Sequence, residues 1–460
     1  MNDSPRCAGR SLLSSCIALV VGLLYLITNS QDAVAELPVL RPIVSAAPGL
    51  KGLDAAHGQH QVRLATLRDS RTVVVYAQGY PVGCKLFDAC KQYPQTWHFV
   101  ADTQGLRHGP FRTWPELDVR PNLNNYSRVP DKAVSYRDGE FVVVGLAHSS
   151  HNQGGGNFLR IDGQGRVLSR TGGVEGFGSR VCALGRDLVS FLVWSDPASA
   201  GYAWFEDAAR LKDVVNLGGY GYNFPGTQDF TCGTSATLGG RFSLVVREVT
   251  ASHFGFMLYR AEGPRWSAVG SEVRVPWSVT GQPCCGNLVV GDDTGIVLAR
   301  GVGTDGRRAL HYLRFRLTAA GVVPLDVTPR ALPLTNDSEH LDSSLVYGGG
   351  GQYFLALYEG GQAAAGRPKN RRQALRILAL DFAKGEFTDL VRPYEDDRWS
   401  QNAPLGFYAN SMNENSLSAS LACDGTLYVG AAFDNGRGLG LLRLFALPVG
   451  RAVCATGSPG

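Results

Sequence analysis

Arg128, Arg180, Tyr222, Asp229, His340 and Glu414 stand at wide intervals, each where a connecting segment enters an apolar, strand-like run. His148 closes another such run, three residues before His151. Gathered in one place, these side chains suit a polar or anionic ligand. Arginines would hold a negative group, and carboxylates, His or Tyr would act as acid, base or nucleophile. The nine histidines are scattered, and no glycine-rich loop follows a strand and opens a helix. No metal site and no cofactor are expected.

Cysteine is the second reactive type. Cys7 and Cys16 lie in an N-terminal leader, and Cys84, Cys90, Cys182, Cys232, Cys284, Cys285, Cys423 and Cys454 follow it. Their spacings are not those of a zinc site, whereas an even count in an exported chain reads as disulfides. Cys84–Cys90 would close a small loop inside one insertion. Cys423–Cys454 would tie the last repeat to the chain end. Cys182 and Cys232 occupy similar positions in successive repeats and would pair, with Cys284 or Cys285 as competitors for Cys232.

The leader itself has three parts: Arg6 and Arg10, an apolar run over 12–27, and the small-x-small site Ala33-Val34-Ala35. Residues 1–35 therefore read as a signal peptide, giving a secreted or periplasmic protein. The alternative is a membrane anchor formed by an uncleaved leader, although the run is short for a span. The net charge of +4 is unconcentrated, the densest basic stretch being 367–372. A nucleic-acid binder gathers its charge on one face, so nucleic acid is excluded as a partner.

The elements that must position these residues are strands. Hydrophobic residues make up 44% of the chain and charged residues 18%, and 57 glycines punctuate it. That is the usage of many short strands joined by turns. One unit recurs: an apolar strand, a Gly/Asp turn and a second strand rich in Val, Leu and aromatics. Thr72, Phe141, Leu188, Phe242, Ile296, Phe354 and Leu427 mark the second strand of each copy. A second hairpin follows in most units, as at Asp162-Gly163-Gln164-Gly165 and at Lys384-Gly385. Two hairpins make a four-stranded antiparallel blade of roughly 40–50 residues, and seven units make a seven-bladed β-propeller. The expected fold is all-β, a single domain over 36–460, with one short helix near 206–215. The last unit lacks an outer strand, which the segment 37–44 is expected to supply, removing an exposed sheet edge.

Loop lengths differ by class. In a four-stranded meander the first–second and third–fourth turns share one face, and here they are tight. The second–third and blade-to-blade connections share the other face. They hold the insertions 78–95, 121–132, 148–157, 219–229, 359–373 and 392–415. Long loops on a rigid scaffold are where binding residues sit, and those entering innermost strands converge on the axis.

The repeat resembles the sialidase-like, glycan-active propellers. Those families carry an Asp box at the third–fourth turn, and Asp102-Thr103-Gln104-Gly105 and Asp162-Gly163-Gln164-Gly165 keep its Asp and Gly. The stretch with Asn125, Ala133-Val134, Asp138-Gly139 and His148 is also similar to propeller polysaccharide lyases, in which axial His and Tyr perform β-elimination on uronic-acid polymers. The resemblance implies either an exported interaction protein binding a glycan on its long-loop face, or a glycoside hydrolase or polysaccharide lyase with an axial pocket. The partner is then a glycan or an extracellular protein.

Overall fold

The computed structural model describes residues 36–46, 57–67, 71–81, 95–113, 129–135, 141–147, 156–174, 177–184, 187–195, 198–207, 210–219, 230–249, 252–262, 265–277, 280–302, 308–333, 338–361, 373–395, 417–434 and 440–450. Strand β1 (Pro42–Ala46) opens them. Blade 1 is β2 (His57–Thr66), β3 (Val73–Pro81), β4 (Gln95–Asp102) and β5 (Gly105–Arg112). Blade 2 is β6 (Val129–Ser135), β7 (Phe141–Ala147), β8 (Gly156–Asp162) and β9 (Val167–Val174). Blade 3 is β10 (Phe177–Leu184), β11 (Asp187–Ser195), β12 (Ala198–Glu206) and β13 (Arg210–Gly219). Blade 4 holds β14 (Phe230–Ser235), β15 (Gly240–Val249), β16 (His253–Glu262), β17 (Arg265–Ala268) and β18 (Val273–Pro276). Blade 5 holds β19 (Thr280–Gly291), β20 (Thr294–Val302), β21 (Arg308–Thr318), β22 (Gly321–Pro324) and β23 (Arg330–Ala331). Blade 6 is β24 (Ser338–Gly349), β25 (Gln352–Gly361), β26 (Gln373–Asp381) and β27 (Glu386–Asp389). Blade 7 is β28 (Leu417–Leu421), β29 (Thr426–Asp434) and β30 (Gly440–Pro448), completed by β1.

The chain is thus a seven-bladed all-β propeller of antiparallel sheets. Each of the seven markers lies in, or beside the first residue of, the second strand of its blade. The N-terminal segment does supply the missing outer strand, shifted toward the C-terminus of the expected range: Val44 pairs with Leu444 and Ala46 with Leu442. Ahead of it, Val39 bridges Arg392 of blade 6. The innermost strands β2, β6, β10, β14, β19, β24 and β28 neighbour one another in order, and β28 returns to β2.

The helix expected near 206–215 is absent. Trp204 pairs with Asp213 and Tyr202 with Val215, so this segment is the β12–β13 hairpin. The helix former Leu211 pairs across the turn with Phe205, and Asp207 takes a left-handed φ of 48° that turns the chain.

Second strands lie between neighbouring blades, so both of their faces are covered. Val73, Val74, Val75 and Tyr76 are all buried, and the pattern of β3 is a continuous apolar run rather than an alternation. Val73 and Val75 pack with Tyr428 and Leu444 of blade 7. Val74 and Tyr76 pack with Val142 and Leu159 of blade 2. Outer strands are different: β5 is exposed along most of its length.

Tight turns owe their shape to aspartates. Asp162 Oδ1 accepts from the Gln164 and Arg166 amides at 2.9 and 2.8 Å, and Oδ2 accepts from Arg166 Nε at 2.7 Å. Burial opposes its charge, but these bonds hold its carboxyl below the usual range. Asp381 caps its turn through the Ala383 and Lys384 amides, both at 3.0 Å. Gly165 has φ 78°, and a Cβ there would stand 2.5 Å from the Phe111 ring, so only glycine serves.

Between blades, polar side chains bridge one sheet to the next. His98 Nε2 donates to the Gly165 carbonyl of blade 2 at 2.7 Å, and its Nδ1 meets Thr113 Oγ1 at 2.8 Å. Asn287 Oδ1 accepts from the Leu345 amide, Ser344 Oγ from Ala419, Ser418 Oγ from Leu64 and Ser420 Oγ from Thr66. In these last four, a side chain on one innermost strand satisfies an edge amide on the innermost strand of the next blade. Such amides have no ladder partner of their own. Between blades 3 and 4 the bridge is covalent, a Cys182–Cys232 disulfide with Cα atoms 5.9 Å apart. Cys423 is also disulfide-bonded. Cys84, Cys90 and Cys454 lie outside the described residues. Cys284 and Cys285 have described backbone on β19, and Cys284 stands opposite Arg300.

Candidate functional site: the long-loop face and its brace

The two ends of the propeller are built differently. Every first–second and third–fourth turn is short, as at 292–293, 319–320 and 350–351. The long connections 82–94, 113–128, 148–155, 220–229, 362–372 and 390–416 all leave from and return to the opposite strand ends. The expected asymmetry is therefore present in the strand order.

On the tight-turn face, polar side chains are spent on neighbouring blades. Asp187 of blade 3 pairs with Arg241 of blade 4 at 3.5 Å. Asp293 of blade 5 accepts from the Thr237 hydroxyl of blade 4, and the Tyr347 hydroxyl of blade 6 donates to Asp292. Burial first, then Asp292, pushes the Tyr347 phenol up to about 12. Arg71 of blade 1 pairs with Asp424 of blade 7 at 3.1 Å, and Tyr428 donates to the Arg71 carbonyl. Asp292 and Asp293 both take left-handed φ, 49° and 59°, as a two-residue hairpin turn of this kind requires.

At the other end, a charged cluster is buried between blades 5 and 6. Arg376 on β26 gives Nε and Nη2 to Asp389 at 2.9 and 2.8 Å, a bidentate pair. Its Nη1 reaches Glu359 at 2.7 Å, where both side chains are at least nine-tenths buried. The same nitrogen reaches the Pro333 carbonyl of blade 5 at 3.5 Å. Burial opposes the guanidinium charge, but the bonds to Asp389 and Glu359 outweigh it and raise the Arg376 pKa.

Register explains how residues so far apart in sequence meet. His340 stands opposite Glu359, Leu357 opposite Arg376, and Leu378 opposite Asp389. Alternation along β25 and β26 then points all four polar side chains toward blade 5. Leu357 and Leu378 on that face pack against Leu298, Leu310 and Tyr312. Arg300, two residues after Leu298, is buried on the facing side of blade 5. The register shifts between His340 and Asp342, so an extra residue turns Asp342 to the opposite face.

This cluster sits at the roots of long loops. His340 is the third residue of β24, Glu359 and Arg376 flank the connection 362–372, and Asp389 precedes 390–416. The guanidinium is spent on Asp389, Glu359 and a carbonyl, so it braces the loop roots rather than offering a charge to a ligand. Sequence reasoning missed Arg376 and Asp389. The available signal was an Arg within the apolar run Leu375–Leu378 that ends as a strand facing a neighbour.

Of the residues expected to bind a ligand, His340 is fully buried in this wall. The backbone of Arg180 lies on β10, opposite Phe191. Arg128, His148, Tyr222, Asp229 and Glu414 lie outside the described residues. Among the described residues, no group of His, Cys, Asp and Glu is placed to hold a metal ion.

Fold and site define a seven-bladed β-propeller with one structural face and one looped face. No family model matches the sequence, and no curated protein matches it. Among solved structures it is similar to the BP39L lectin from Burkholderia pseudomallei, at 14% identity over 86% of this chain and 100% of that one, TM-score 0.47. It is also similar to the β-propeller domain of the Trilobed protease from Pyrococcus furiosus, at 9% identity over 85% and 96%, TM-score 0.39. An α-L-arabinanase from Penicillium chrysogenum complexed with arabinobiose matches at 11% identity over 59% and 92%, TM-score 0.33.

Proposed function

We propose that this chain is an exported propeller that binds a glycan on its long-loop face. Residues 1–35 act as its leader and 36–460 as one binding domain. The observation that carries the reading is the division of labour between the faces. Polar groups such as Asp187, Asp292, Asp293 and Asp424 of the tight-turn face are committed to blade-to-blade bonds, while the opposite strand ends carry the long connections, braced by buried charge between blades 5 and 6. A glycan suits the residue types that the sequence carries on those connections: Arg128, Tyr222, Asp229 and Glu414, with Arg180 of β10, offer charge-assisted donors and acceptors for hydroxyl and carboxylate groups.

The test is a glycan-array screen of the mature chain, with parallel turnover assays on acidic polysaccharides. Arg180→Glu and Asp229→Lys are expected to abolish binding and leave the melting curve in place. Gln164→Ala and Thr294→Ala, in tight turns, are expected to bind as the parent does. Loss of binding in the tight-turn variants alone would overturn the face assignment. Product release from an acidic polysaccharide would replace binding with catalysis.

A further inference from the structure

We infer that Cys182–Cys232 is a reducible latch at the seam between blades 3 and 4, and that thiols open it by attack on Cys232. The inference is independent of the ligand. Cys182 lies on β10 and Cys232 on β14, the innermost strands of successive blades, and no backbone ladder joins them. At the seams between blades 5 and 6, 6 and 7, and 7 and 1, Asn or Ser side chains bridge the equivalent strands. Those bridges survive reduction. At this seam, among the described residues, the bridge between innermost strands is the disulfide.

The two sulfurs are not equivalent. Cys182 is 4% exposed, packed among Leu184, Val189, Trp204, Met257 and Tyr259. Cys232 is only partly buried against the same cluster. A small thiolate therefore reaches Cys232 Sγ first. The new S–S bond forms there as the Cys182–Cys232 bond breaks, and the electron pair leaves on Cys182 Sγ, which takes a proton from solvent. A second thiolate then attacks the sulfur of the first, and Cys232 Sγ leaves with the electron pair and takes a proton from solvent. The protein disulfide gains two electrons and becomes two thiols, and two small thiols become their disulfide. An apolar setting disfavours the departing Cys182 thiolate and slows the exchange, so its direction is set by access to Cys232.

Opening should be local. Leu184, Val189, Trp204 and Tyr259 still cover the seam after reduction, and the hairpins β10–β11 and β14–β15 keep their own ladders. What is lost is the bond holding the two strands at fixed separation.

Hydrogen exchange of the mature protein, compared with the Cys182→Ala/Cys232→Ala variant, tests this. That variant leaves the bond at Cys423 untouched. Amides of β10 and β14 are expected to exchange about tenfold faster or more, with β24 and β28 unchanged. Equal exchange at β10 and β14, or a uniform rise across all innermost strands, would overturn the latch. Should the variant not fold, the wild-type protein in glutathione gives the answer by mass spectrometry. A mixed disulfide on Cys232 supports the inference, and one on Cys182, or on neither, overturns it.

Discussion

The Ser418 hydroxyl accepts the Leu64 backbone amide at 3.2 Å, across 354 positions of chain. Two residues along, Ser420 does the same for Thr66, and Arg63 donates back to the Leu417 carbonyl at 3.2 Å. Blade 7 therefore grips blade 1 through side chains that fill otherwise unmet backbone groups. Ser418→Ala leaves a buried amide without an acceptor, at a cost of about 1–3 kcal/mol. Urea denaturation of Ser418→Ala should show that loss. A shift below about 0.5 kcal/mol, the scale of an ordinary surface change, would mean that solvent replaces the hydroxyl.

Arg376 gives a sharper case. Arg376→Met strands Glu359, which is 2% exposed, and removes a partner of Asp389. The expected loss is about 3–5 kcal/mol. Arg376→Met/Glu359→Leu removes both ends of the buried pair and should recover a large part of it, since apolar replacements of similar volume restore packing without an unpaired charge. If the double variant is less stable than the single one by urea denaturation, the brace account fails.

The acid response should come in two stages. His311 is packed edge-on against Trp277, with ring centroids 5.7 Å apart. Burial pushes its pKa below the usual imidazole value, and the bond with Ala309 offsets this in part. An unfolded chain takes up the proton first, so stability falls as pH drops from about 6.5 toward the lower folded value. The second stage belongs to carboxylates. Asp326 is buried, which opposes its charge, but Arg314 holds its pKa below the usual value through bonds of 2.8 Å. Its contribution is present above about pH 4 and is lost as pH falls through the depressed value. Melting temperature against pH should therefore decline below 6.5 in the parent and stay flat to about 5 in His311→Gln, with the steeper acid fall common to both. An unchanged slope in the variant would place the first stage elsewhere.

The strands were readable because each blade repeats a local signal. An apolar run such as Val73–Val75, buried on both faces, ends at a turn with the chemistry of Asp162 or Gly165. The pairing of Cys182 with Cys232 was readable for the same reason, as both occupy one position in successive repeats. The stretch from Glu206 was misread because its residues favour a helix locally, while the deciding partners, such as Tyr202 for Val215, lie across a turn. The brace was harder still. His340, Glu359, Arg376 and Asp389 are separated by whole strands, and only their register puts them on one face.

Strand β1 precedes all seven blades in the chain, yet it can be seated only once its partner β30, the last strand among the described residues, has been made. Through nearly the whole of synthesis it is an orphan apolar segment, and Val44 and Ile43 wait for a surface that does not yet exist. Ring completion thus waits on nearly the whole span of the described residues. Pairings of such wide sequence separation are slow and expose apolar surface meanwhile.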